Sequence, residues 1–174
     1  MLTTTRSLAI AGLITLVSAG NALAERVQPF ILGSSSAGDF AGAVSDTKSK
    51  LSGAGFDVVG THAPYSGAEI IIFTSDELKA AATKSERGGY GAALRASVTD
   101  NGGNIEVAYT NPKYWANAYR LNDQLDAVSA KLASALGSEK QFSSGDKELS
   151  PEDLRKYHST FMMAYLDDPT HLRE

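Results

Sequence analysis

The chain has 174 residues, 16 basic and 20 acidic, a net charge of −4, and no cysteine. Without cysteine there can be no disulfide, thiolate metal site, thiol-attached haem or lipidated cysteine behind a leader. Mild acidity with no basic run argues against nucleic acid and anionic membrane surfaces as partners, since both are bound through clustered cations.

Residues 1–24 read as a cleavable export signal. Arg6 supplies the positive start, Leu8 to Val17 is an apolar run broken only by Gly12 and Thr15, and Ala22-Leu23-Ala24 is a small-x-small cleavage site. The run is shorter than the roughly 20 apolar residues a membrane span needs. The mature chain would begin at Glu25, and losing Arg6 leaves 15 basic residues against 20 acidic. Its expected location is periplasmic or secreted, in soluble form. A chain of that size buries about 68–70% of its unfolded surface, enough for one core without covalent staples.

Val27 to Leu32 is predicted as a first strand, with Gly33-Ser34-Ser35-Ser36 as the loop after it. Phe40, Val44, Thr47 and Leu51 recur at helical spacing, so residues 38–52 are predicted as an amphipathic helix, ended by Gly53-Ala54-Gly55. Phe56 to Thr61 is a second strand. Ala68 to Phe73, with three consecutive isoleucines, suits a strand buried on both faces. Thr74 is the expected N-cap and Glu77 the N3 partner of a helix running through Lys84. Gly88-Gly89-Tyr90-Gly91 reads as a flexible joint.

Leu94 to Thr99 and Ile105 to Thr110 alternate as two short strands, with Asp100-Asn101-Gly102-Gly103 as a hairpin turn. Asn111 and Pro112 are the N-cap and N1 of a short helix carrying Tyr114, Trp115 and Tyr119. Leu125, Val128, Leu132 and Leu136 mark another helix, stopped by Gly137. Residues 138–149 are polar and read as a linker or long surface loop. Ser150 and Pro151 start a last helix, predicted to reach about Tyr165 and to form, over 150–174, an extension packed on the domain of residues 25–137. This order predicts an α+β fold, a mostly antiparallel sheet of about five strands with helices packed on one face.

The stretch Glu106 to Arg120, with Tyr109-Thr110-Asn111-Pro112 leading into a helix that holds Trp115 and Ala118-Tyr119, resembles the signature of the domain-of-unknown-function 302 family. Gly55-Phe56-Asp57-Val58-Val59 and the apolar strand Ile70 to Phe73 fit the same order, so the likeness covers about residues 35–137. Lys156 to Pro169 is similar to the tails of exported relatives. The resemblance implies a compact α/β fold, often a homodimer, and no established reaction. The chain departs from the pattern in the glycine- and charge-rich loop Lys84 to Gly91. It departs again in having Thr74-Ser75-Asp76 where a Gly-Asn-Pro turn would follow the third strand.

The candidate ligand-binding residues are Tyr109, Asn111, Tyr114, Trp115 and Tyr119. Their aromatic bodies and polar tips could line a pocket for a small ligand, form a dimer interface, or wedge the short helix onto the sheet. Core and interface are the favoured uses. On the last helix Leu154, His158, Phe161, Met162 and Tyr165 share one face. A His158–Met162 pair suits Cu(I) or haem iron. Such a site needs further donors from His62 or a carboxylate, and packing is the expected role of both residues. No nucleophile elbow, phosphate loop or zinc-protease motif is present. The expected function is therefore an exported, non-enzymatic binding or interaction domain, with a copper- or haem-binding protein as the alternative.

Overall fold

The computed structural model describes residues 26–86, 88–145 and 149–156. Strand β1 spans Phe30–Ala37 and is followed by helix α1 at Phe40–Gly53, β2 at Asp57–His62, β3 at Ala68–Thr74 and α2 at Asp76–Thr83. Then come β4 at Leu94–Asn101, β5 at Asn104–Thr110, α3 at Pro112–Ala118, α4 at Asp126–Leu136, β6 at Lys140–Phe142 and α5 at Pro151–Arg155. Among the described residues the strands form one six-stranded sheet in the order β2-β3-β4-β5-β1-β6. Every pairing is antiparallel. The α+β class therefore holds, with six strands where about five were expected.

The additional strand lies in residues 138–149, expected as linker or loop. Lys140 to Phe142 pair with Leu32 to Phe30. A three-residue edge strand with one apolar side chain leaves no alternation to detect in the sequence. The first strand is also longer than predicted. It continues through the serines because Ser34 to Ala37 pair with Val107 to Asn104, and it takes up a bulge between Leu32 and Ser34. Pairing with an adjacent strand overrides the weak strand preference of these residues. Val27, predicted inside the strand, lies before it and makes an isolated bridge to Leu149.

Helix starts follow local capping chemistry. Asp39 accepts from the Gly42 amide at α1, Asn111 from Lys113 at α3, and Ser150 from Asp153 at α5. At α2 the cap is Ser75, one residue after the expected Thr74. Thr74 remains in β3, paired with Asp57, and its hydroxyl donates to the Ala92 carbonyl at 2.6 Å. Leu125 precedes α4 in a left-handed conformation, held by its amide donating to Asp123 Oδ1 at 2.7 Å. Helix α5 ends with Lys156 at its C-cap. Its expected continuation to Tyr165 falls outside the described residues. So does the export signal.

The predicted joint at Gly88–Gly91 is a 3-10 turn whose first and last glycines are buried. The hairpin is as expected, but tighter: Gly102 and Gly103 alone turn the chain, with φ of 65° and 91°. These left-handed values suit a two-residue hairpin loop.

Alternation in the strands divides the sheet into two unlike faces. Ile71, Phe73, Leu94, Ala96, Val98, Ile105, Val107 and Tyr109 point to the core. Helix α1 lies across β2 to β5 and α4 against β1, bringing in Leu51, Val128, Leu132 and Leu136. Each fully buried leucine stabilises the fold by about 1.5–3 kcal/mol. The other face carries Ile70, Arg95, Ser97, Ala108 and Thr110, with Phe30 and Phe142 beyond them. Ile70 and Ile72 are half-buried while Ile71 and Phe73 are fully buried. The third strand is thus fully buried on one face and half-buried on the other, short of the two-sided burial its isoleucines suggest.

Candidate functional site

The structure separates the five residues that the sequence grouped. Tyr109 points into the core, 2% exposed, and its hydroxyl donates to the Gly137 carbonyl at 2.9 Å. Burial raises its phenol above the ordinary value. Asn111 is 3% exposed and is held on three sides. Its Oδ1 accepts from the Lys113 amide, and its Nδ2 donates to the Gln28 carbonyl and Gln141 Oε1 at 2.9 and 3.0 Å. Both residues are therefore fixed in the fold. Tyr114 is half-buried on α3.

Trp115 and Tyr119 are brought together, edge to face, at 4.8 Å between ring centroids. Tyr90, from the 3-10 turn, joins them. It stacks on Tyr119 at 5.8 Å and is 70% exposed, and its carbonyl accepts the Trp115 indole N–H at 3.3 Å. The Arg95 guanidinium lies 5.5 Å from the Trp115 ring centre, within cation–π range. His62 is exposed on β2, opposite Ile70. His158 and Met162 lie outside the described residues. Among the described residues no cluster of three or more histidines, aspartates or glutamates is placed to hold a metal.

Arg95 links this aromatic corner to a groove of about 300 Å³ on the sheet face opposite the core, helix-free among the described residues. Ser97, Ala108 and Thr110 form its floor, Ile70 one wall, and Phe30 and Phe142 the other. The two phenylalanine rings lie 5.6 Å apart, held by the Phe30–Phe142 strand pairing. Backbone amides and carbonyls of the floor are used in the ladder, since β4 and β5 each have a neighbour on both sides. The Thr110 hydroxyl donates to the Arg95 carbonyl at 3.2 Å. Arg95 is exposed and has no carboxylate partner among the described residues. Sequence reasoning missed Arg95, although the alternation of Leu94 to Thr99 puts it on one face with Ser97. It also missed Phe30, Ile70 and Phe142, which come from three separate segments.

A second cavity, about 350 Å³, lies under α1 on the helix side and includes Ser34, Ser36, Asp39, Asp46 and Lys50. Its charges answer one another. Lys50 pairs with Asp46 at 2.8 Å, and Asp39 Oδ2 accepts from the Gly42 amide at 2.6 Å. The groove instead offers a cation with no ion-pair partner among the described residues, beside apolar walls, so it is the stronger candidate.

No protein-family profile matches the chain, and no curated protein matches it. Among the described residues no helix is long and apolar enough to cross a membrane.

Proposed function

We propose that this chain is an exported, non-enzymatic binding domain whose working surface is the helix-free face of its sheet. The observation that carries the reading is Arg95. A guanidinium without a carboxylate partner among the described residues lines an apolar groove and lies against an aromatic corner. Ligand sites combine apolar walls with a few polar groups that fix orientation, and this groove has that composition at the lower end of the usual volume range. The leader-like residues 1–24 support export.

The reading is tested by amide chemical shifts of the isotope-labelled chain from Glu25 onward, titrated with a set of small apolar acids, alcohols and amines. Shifts are expected to cluster on Ile70, Ser97, Ala108 and Thr110. Clustering around Asp39, Asp46 and Lys50 would move the site to the helix side and overturn the reading. Sedimentation without ligand covers the remaining occupant. A stable dimer that protects the groove amides would show that a second copy of the chain, as the family resemblance implies, fills this face.

A further inference from the structure

We infer that the groove takes a free monocarboxylate with an unbranched apolar tail, its carboxylate on Arg95 and its tail between Ile70 and the Phe30–Phe142 pair. This rests on the helix-free face being the binding surface. The charge of the ligand follows from Arg95. Its guanidinium presents planar, forked donors that match a carboxylate, and no described carboxylate takes them. Stacking against Trp115 limits its freedom, so less order is lost when the acid binds.

The tail follows from what the groove lacks. Its walls are hydrocarbon and aromatic carbon, and its floor is the interior of a sheet whose main-chain groups already bond to neighbouring strands. A peptide laid there would bury its own amides against groups that cannot answer them, at the cost of each unmade hydrogen bond. An alkyl chain has no such groups. Ala108 opposite Ser97 leaves the floor shallow between the taller Phe30 and Ile70, and this makes a slot suited to a slender chain. An amine of the same length would meet the Arg95 charge and be repelled.

The test uses the chain from Glu25 onward and three probes: decanoate below its aggregation concentration, decan-1-ol, and acetyl-trileucine. Trp115 is the single tryptophan, so its fluorescence reports directly on the Arg95 stack. Decanoate should bind and change that fluorescence, and Arg95→Gln should weaken it about tenfold, the loss of one charge-assisted contact. Decan-1-ol should bind about tenfold more weakly than decanoate and be unaffected by Arg95→Gln. Ala108→Leu, which fills the floor, should weaken both. Equal affinity for acid and alcohol, or equal affinity of wild type and Arg95→Gln for decanoate, would overturn the ligand class. Groove amides that still shift would then leave the binding surface standing. Acetyl-trileucine binding as tightly as decanoate would assign the carboxylate to a peptide terminus and overturn the inference. Decanoate shifts confined to residues outside the groove would overturn both readings together.

Discussion

Replacing Asn111 by alanine is the sharpest test of whether that side chain belongs to the fold or to a ligand. The side chain caps α3 through Oδ1 and ties the segment before β1 and strand β6 together through Nδ2. Losing an asparagine N-cap costs about 1 kcal/mol. Losing the two part-buried donations, to the Gln28 carbonyl and Gln141 Oε1, adds roughly 1–3 kcal/mol at about 0.5–1.5 kcal/mol each. The expected loss is therefore about 2–4 kcal/mol, large against a domain stability of roughly 5–15 kcal/mol. Asn111→Asp separates the two parts, because it keeps the capping acceptor and loses both donations. It should recover no more than about 1 kcal/mol of the alanine loss. Urea unfolding followed by far-ultraviolet circular dichroism measures both, with an unchanged denaturant slope showing that the same transition is compared. A loss below about 1 kcal/mol in Asn111→Ala would refute the bracket and return the side chain to the list of ligand groups.

Three further outcomes follow from the same structure. At Gly88 an added Cβ would lie 2.2 Å from the Ala82 carbonyl oxygen, whereas at Gly89 it meets nothing within 4 Å. Gly88→Ala should cost roughly 1–3 kcal/mol in thermal or urea unfolding and Gly89→Ala almost nothing, and equal losses would contradict the close approach. Tyr109→Phe should cost about 1 kcal/mol for the bond to Gly137 and remove a phenol that titrates above the ordinary range in an alkaline absorbance titration. The raised phenol means that its stabilisation is complete below pH 10 and falls as pH rises through the raised value, so a wild-type advantage that grows above pH 10 would refute it. The Lys131 ammonium, as a hydrogen-bond donor, holds the Glu77 carboxyl at about 2 instead of 4.5, so its contribution is full above pH 4.5 and is lost as pH falls toward 2. With these side chains 43% and 40% exposed, Glu77→Gln should cost less than about 1 kcal/mol at pH 7, and the difference should close near pH 2.

Elements governed by local chemistry were legible in the sequence. The spacing of Phe40, Val44, Thr47 and Leu51 located α1, and Asn111-Pro112 and Ser150-Pro151 located the starts of α3 and α5, because caps act within one turn. The α+β class followed from the order of elements. What failed depends on partners distant in sequence. The serines after Gly33 extend β1 only because Asn104 to Val107 lie beside them, and Lys140 to Phe142 become a strand only against Phe30 to Leu32. Thr74 and Ser75 are chemically interchangeable as caps, and pairing of Thr74 with Asp57 decides between them.

The candidate site was legible in its corner and hidden in its groove, for one physical reason. Trp115 and Tyr119 lie four residues apart on one helix, so sequence spacing alone joins them. Tyr109 and Asn111 are nearer in sequence to Trp115 than Arg95 is, yet strand alternation and the helix cap turn both away from it. The groove walls are separated by 40 residues from Phe30 to Ile70 and by 72 from Ile70 to Phe142, and only the strand order places them on opposite sides of Ala108. The residues that do alternate toward that face on β4 and β5 are small or polar, the pattern of a strand surface left to water. The apolar character comes from the flanking strands. A low floor of serine, alanine and threonine between taller apolar walls is what makes the face a groove instead of a flat apolar patch, and among the described lining residues Arg95 is its one cation.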